Sequence, residues 1–523
     1  MRLRERKIAI VISSFIIILL FLSFHAAETS RHAPQTSSSL LTNRKTAIAE
    51  AFQHAWDGYS HYCFGNDTLN PVSNTCEDDF GGMGVTAIDA LSTAIILEKD
   101  DVVVQILDFI ASLDFSTIKV GTKYQVFEVA IRHFAGMISA WDLLHGPFDH
   151  LAKDKKLRKS LYNAMVTLGD VMSCAFRTPS GIPRDWVDPT TCELEQEGRN
   201  SIAAAGTMIL EMARLSDITG NKTYAELAER AEAHLLDPHP ADKGPGPGLL
   251  GSFVSIDTGF LSDSSGSWGA MADSYYEYLL KAYLYNSNVY GPYLESWKAA
   301  ADSTIRFVAS SPYGHPELTF LPSWSGVLLD HRMESLSWFA GGSFILGGVT
   351  TNNKTLVDFG LSLADTAGVL YNMTKTGLGP EFVEWKVKCK SEDDNCDPDA
   401  SLSISNPKFR LRPEVLETWY HAYRATRDPK YREWSWSAFE AINKYCRTSS
   451  GFSAISDVNS HDGGAKLDKQ ESFVFAEVMK YIYLTHLEDK RATFHVQDSR
   501  TGVKNTWVFN TEAHPFRVAG PPK

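Results

Sequence analysis

The chain places carboxylates inside stretches that are otherwise apolar. Glu128 stands in "VFEVAIRHFAGM", with Arg132 one turn later. Glu211 stands in "MILEMARLS", and Asp273 in "WGAMADSYYEYLL", with Glu277 one turn on. Glu471 and Glu477 fall in "KQESFVFAEVMKY". In "LRPEVLETWYHAYRATRDPKY", Glu414 and Glu417 follow Arg412 and Pro413. An ion pair or a helix cap accounts for any one of these, and Glu128 and Arg132 have the i,i+4 spacing of a simple pair. So many together ask for more, because a buried acid is costly unless it is paired or used. A pocket lined by acids and aromatic rings suits the cleavage of a glycosidic bond. One carboxyl group protonates the leaving oxygen, and another takes a proton from water on the far face of the sugar. The first must hold its proton near neutral pH while the second is ionised. Rings stack on the apolar face of the sugar. The C-terminal "VFNTEAHPF" adds Thr511, Glu512 and His514. A threonine hydroxyl and carbonyl offer two hard oxygens to Ca²⁺, although a buried C-terminal turn would look the same.

The elements that must position these groups read as helices. Apolar residues recur at three- and four-residue spacing in "GVTAIDALSTAIIL", "SIAAAGTMILEMARLSDITG", "MADSYYEYLLKAYLY" and "SFVFAEVMKYIYLTHL". Alternating strand patterns are rare, and most segments stop at Gly, Pro or Asn. Loops are expected at "ADKGPGPGLL", at the acidic "CKSEDDNC" and at "DVNSHDGGAK". No low-complexity linker interrupts the chain after about residue 46. One all-α domain over 48–518 is expected, as a toroid of paired helices or a solenoid. No strict repeat period selects the solenoid.

The chain has 523 residues, a net charge of -13 and no basic tract past its start, which argues against a nucleic-acid binder. "MRLRERK" precedes the apolar run Ile8 to Phe24, the pattern of a signal anchor or signal peptide over 1–27. Residues 28–47, rich in Ser, Thr and His, read as a short stem. The bulk of the chain is then luminal, and the sequons at Asn66, Asn221, Asn353 and Asn372 are compatible with that. Seven cysteines fit one or two bridges with free thiols left over, and Cys389 and Cys396 could close the acidic loop.

Longer motifs carry a resemblance. "HAWDGYSHYCFGNDTLNPVS", "VFEVAIRHFAGMISAWDL", "ADSYYEYLLK", "LRPEVLETWYHAYRATRDPKYRE", "ESFVFAEVMKYIYL" and "VFNTEAHPF" resemble, in order, the class I alpha-1,2-mannosidases of glycoside hydrolase family 47, and especially the fungal branch. The resemblance implies an (α/α)7 barrel plugged by a C-terminal hairpin, with the site at the bottom of a pocket. It implies an inverting, Ca²⁺-dependent enzyme that trims high-mannose N-glycans. A monomer in the endoplasmic reticulum or Golgi is expected, membrane-bound through its N-terminal segment unless that segment is cleaved. By residue-wise match, Glu128 resembles the general acid, Asp273 a further catalytic carboxylate and Glu414 the general base. Thr511 matches the metal ligand. Arg132, Glu211, Glu277, Arg412, Glu417, Phe473, Glu477 and Glu512 match residues lining the sugar or metal site. Arg412 is expected to keep Glu414 ionised through its opposite charge.

The match breaks at "ESLSWFAGGSF", where Ser335 and Trp338 replace the family's His and Cys, and at Val369, where a partner Cys would stand. Loss of both cysteines removes one bridge, and Trp338 and Val369 are expected to fill the apolar space. The lost His bears on rate and linkage. A mannose-binding quality-control protein with weak turnover, or an α-mannosidase of another linkage, is the alternative.

Overall fold

Helices buried on nearly every face alternate along the chain with helices buried along one stripe. The computed structural model describes residues 37–193, 198–241, 244–388, 397–487, 497–500 and 502–520. Seven outer helices are α1 (Ser37–Tyr62), α3 (Asp100–Ser112), α5 (Lys155–Cys174), α7 (Thr223–Leu236), α9 (Gly291–Ser303), α11 (Lys354–Met373) and α13 (Pro429–Tyr445). Seven inner ones fall between and after them. These are α2 (Val85–Ile96), α4 (Val126–Val129, Ala130–Phe134 and Ala135–Leu144 in one run), α6 (Ile209–Thr219), α8 (Asp273–Tyr285), α10 (Phe339–Thr350), α12 (Glu414–Thr426) and α14 (Met479–His486, led by Val474–Val478).

The difference follows from residue spacing. In α5 the buried residues include Leu161, Ala164, Met165, Leu168, Val171 and Met172, a single stripe at three- and four-residue steps. In α2 every residue is buried, polar Asp89 and Ser92 included. Each inner helix touches the next inner one, and α14 returns to α2, so the ring closes. This is an (α/α)7 barrel. The solenoid reading falls, because a solenoid would leave its first and last helices apart. The C-terminal hairpin, Trp507–Phe509 paired antiparallel with Pro515–Arg517, packs on α4 and α8 and plugs the ring.

Between α9 and α10 the layers meet at Gly347. A Cβ there would lie 2.0 Å from the ring of fully buried Trp297, whose indole N–H donates to Ser343 Oγ at 3.3 Å. The ring has no room to retreat. Gly347→Ala is therefore expected to destabilise the fold by about 1–3 kcal/mol through overpacking. Chemical denaturation reads this as a lower midpoint at unchanged slope.

Two expectations need correction. Helix α1 already runs from Ser37, where the described residues begin, through the stretch expected as stem up to 47. Composition misled here because a tertiary contact decides. Arg44, nearly buried, pairs with Glu433 of α13 at 2.5 Å, and Leu41 and Ile48 face the core on the same side. Trp338 does fill apolar space, 2% exposed and edge-on to Phe320 at 5.8 Å, but Val369 stays 42% exposed and fills none. Bridges join Cys63 to Cys76 and Cys174 to Cys192, and Cys446 is a buried free thiol. The N-terminal apolar run, the first part of the stem and the Cys389–Cys396 loop lie outside the described residues. Among the described residues, no helix is long and apolar enough to cross a membrane.

Candidate active site

The first turns of α4, α8, α10 and α12 and the turn that leads α14 line a pocket of about 470 Å³. Glu128 lies in the first turn of α4, Asp273 opens α8, and Glu414 and Glu417 lie in the first turn of α12. Glu477 lies in the π turn that leads α14, and Arg132 in the π turn within α4. Such widened turns displace a side chain from regular helix register and recur at functional sites. The hairpin turn supplies Thr511 and Glu512, so the plug of the barrel is also part of the pocket wall.

Of the residues singled out from sequence, Glu128, Arg132, Asp273, Glu277, Arg412, Glu414, Glu417, Phe473, Glu477, Thr511 and Glu512 line this one pocket. Glu211 does not. It stands behind the wall, fully buried, accepting from Tyr278 Oη at 2.7 Å and Asn510 Nδ2 at 3.1 Å. Tyr278 Oη also accepts from the backbone N–H of Thr511 at 3.2 Å, so Glu211 holds the turn that bears Thr511.

Arg132 organises one side. Its Nε donates to Glu128 Oε2 at 2.8 Å, and its Nη1 lies 2.9 Å from Glu512 and 3.6 Å from Asp89. Asp89 accepts from His514 Nε2 at 2.8 Å, which ties α2 to the hairpin. The i,i+4 pair read from the sequence exists, as one limb of a larger cluster. On the far side Arg412 donates to Glu381 at 3.1 Å and lies over the Phe473 ring. Glu277 pairs with Lys281, whose Nζ also donates to the carbonyl of Asn510 at 3.3 Å.

Eight carboxylates (Glu128, Asp185, Asp273, Glu277, Glu414, Glu417, Glu477, Glu512) face two guanidinium groups (Arg132, Arg412) on the lining. Burial of so much like charge raises proton affinity. Burial, aided by Glu334 and Glu277, lifts Asp273 to about 7 even though Ser274 N–H donates to it at 2.7 Å. Burial lifts Glu414 to about 8. This corrects the expectation for Arg412. The guanidinium does pull Glu414 down, but burial outweighs it, and the Arg412 hydrogen bond goes to Glu381. Glu477 is pushed well up by burial and then by the charge of Glu512. One oxygen of Glu414, Oε2, is buried on the pocket with no hydrogen-bond partner among the described residues.

Sequence reading missed four acids here, and one of them, Asp185, lies on the lining itself. Asp89 carried a usable signal, an acid inside the apolar "GVTAIDALSTAIIL". Glu334 accepts from Ala270 N–H at 2.6 Å, and Glu381 pairs with Arg412. Neither lies in a helix with a periodic stripe, so spacing gave no sign of them.

Comparison with known proteins agrees with this geometry. The sequence profile of Glycosyl hydrolase family 47 matches residues 51–518. The chain is 46% identical over 474 residues to the mannosyl-oligosaccharide alpha-1,2-mannosidase of Penicillium citrinum, covering 90% of this chain and 91% of that one. It is 44% identical over 485 residues to the enzyme of the same name from Coccidioides posadasii, covering 92% of each. The structure of the alpha-1,2-mannosidase from Trichoderma reesei superposes with a TM-score of 0.87 at 40% identity, over 91% of this chain and 99% of that one. On the profile match and these identities, the chain belongs to glycosyl hydrolase family 47.

Proposed function

We propose that this protein hydrolyses terminal alpha-1,2-linked mannose from high-mannose N-glycans with inversion. The observation that carries the reading is the ring of carboxylates at the inner helix starts, with one unpartnered oxygen of Glu414 on the pocket. Relatives named for this activity share over 40% of its residues across nearly the whole chain. Glu414, in its ionised form, takes the proton of the attacking water; with a folded value of about 8 that form grows as pH rises toward 8. Glu128 delivers a proton to the leaving oxygen, and Arg132 orients it. Asp273, raised to about 7, holds a proton near neutral pH and can pass it through a water to the same oxygen. Phe473 and Phe339 supply aromatic wall. The test is incubation of the purified luminal part with a high-mannose glycan, following released mannose. No release, with the glycan still bound, would favour the quality-control alternative.

The residues suit Ca²⁺. Hard oxygen donors abound and carboxylates outnumber guanidinium groups on the lining by eight to two. Among the described residues no three acids, histidines or cysteines converge as a direct cage. Thr511 would therefore hold the ion by hydroxyl and carbonyl, with the acids reached through water. When bound, Ca²⁺ supplies positive charge that engages sugar hydroxyls and makes the surrounding acids stronger. A luminal location is part of the proposal, supported by the two disulfides, which persist in oxidising compartments.

Chelation should then remove activity and stability together. At calcium a hundredfold above Kd, binding adds about 2.7 kcal/mol. The chelated protein carries a pH signature. Asp273 and Glu414 have folded values of about 7 and about 8, against roughly 3.9 and 4.3 when unfolded. They hold more protons folded than unfolded, so stability falls as pH rises from about 4 to about 8. Chelated protein is expected to melt lower at pH 8 than at pH 5, with calcium narrowing the gap. Calorimetry showing no effect of chelator at either pH would refute the ion's role.

A further inference from the structure

The mouth of the pocket carries apolar surface that the chemistry at the floor does not use. Trp186 and Met271 both line the pocket and are 39% and 52% exposed. Three other indoles behave differently. Trp268, Trp297 and Trp419 are fully buried, and their N–H groups donate to Thr304, Ser343 and the Ala364 carbonyl. Among the described residues, no ring stacks on Trp186 and nothing accepts from its indole N–H. A lone exposed apolar residue needs no explanation, but this one has a fixed place. Trp186 pairs in register with Gln125, whose side chain accepts the backbone N–H of Glu128. Asp185, its neighbour, accepts from Val126 N–H at 2.7 Å. Met271 stands two residues before Asp273, and its carbonyl accepts from Ala203 N–H at 3.0 Å. Both apolar side chains are thus tied to the segments that bear Glu128 and Asp273.

A terminal mannose seated among the acids leaves the rest of its glycan to pass the mouth. The pocket volume exceeds that of one hexose, which leaves room for part of a second ring beside the lining residues Trp186 and Met271. Pyranose rings have one apolar face, and an exposed indole with a free N–H offers a stacking plane and a donor at its edge. We propose that Trp186, which shares the lining with Met271, forms a stacking ledge for the hexose on the leaving-group side of the scissile bond. The ledge sets a preference for oligosaccharides over isolated mannosides. The proposal rests on the mannosidase reading and adds to it a binding residue outside the acid cluster.

The test compares alpha-1,2-mannobiose with alpha-mannosyl fluoride, whose leaving group carries no ring. Hydrolysis of both by the unaltered full chain tests the mannosidase reading by itself. For Trp186→Ala, the ratio of kcat/KM on mannobiose to that on the fluoride is expected to fall about 2–10-fold, mostly through KM. That range is a stacking contact of about 0.5–1.5 kcal/mol. Trp186→Phe should recover most of it. Equal loss on both substrates would overturn the ledge and make Trp186 a support for Gln125 and α4. No loss on either would overturn it as well. Calorimetric binding of mannobiose against methyl alpha-mannoside reads the ledge without turnover. Trp186→Ala should weaken the first more than the second, and equal weakening counts against the proposal.

Discussion

Glu414→Gln is expected to lower turnover on alpha-1,2-mannobiose by about 10²–10⁴-fold, the usual contribution of general acid–base catalysis. The amide keeps the size of the side chain and its place in the first turn of α12, but cannot take a proton. Sugar binding should largely survive, so the loss belongs to kcat. Stability provides the control. Glu414 is a buried acid lifted to about 8 by burial, with one oxygen unpartnered. A neutral amide removes the cost of ionising that site, so the variant should melt no lower than the native protein at pH 8. A fall in activity together with a large fall in melting temperature would point to a structural role. Undiminished turnover would move the base function to Asp273.

The opposing pulls on Glu414 show where sequence reasoning stops. Its type, its spacing from Glu417 and its neighbour Arg412 were visible in the chain, and so was its place at a helix start. The balance was not. An arginine two residues away suggests an ionised acid, but the sign depends on how deeply the ring of helices buries the carboxyl and where the guanidinium points. Arg412 turns to Glu381, a residue 31 positions earlier on the chain, and that contact exists only once the ring has closed. Glu211 shows the same limit. Its apolar surroundings marked it as an unusual acid, but spacing cannot separate an acid on a pocket wall from one just behind it. Helix propensity and stripe periodicity made the fold class legible from α2 to α14. They could not choose a closed ring over a solenoid, since closure is a contact between α14 and α2 far apart in sequence. Ser335 is a further case. Its backbone N–H donates to the carbonyl of Glu381 at 2.8 Å, and its neighbours Leu336 and Phe339 line the pocket where Ser335 does not. Where the resemblance leads one to expect a histidine, the lining is apolar, formed by Leu336 and Phe339.

Glu128→Gln should also slow turnover by about 10²–10⁴-fold on mannobiose, but its substrate dependence should differ from that of Glu414→Gln. Glu128 donates its proton to a departing sugar oxygen, a poor leaving group. Fluoride departs with far less help, so alpha-mannosyl fluoride should lose much less rate. Loss of the base would hurt both substrates, because water must be activated in either case. Geometry supports a clean comparison. The Gln carbonyl can still accept from Arg132 Nε, now 2.8 Å from Glu128, while Glu512 at 2.9 Å keeps the guanidinium paired. Folding should therefore survive the change. Inversion gives an independent check on both roles. Water attacking opposite the departing oxygen releases the beta anomer first, and an NMR time course reads it before mutarotation. Alpha anomer first would overturn the direct attack of water that Glu414 is assigned to assist. Beta anomer first, with equal losses on fluoride and mannobiose in Glu128→Gln, would keep the water attack and transfer proton donation to Asp273, whose buried carboxyl at about 7 already holds a proton near neutral pH.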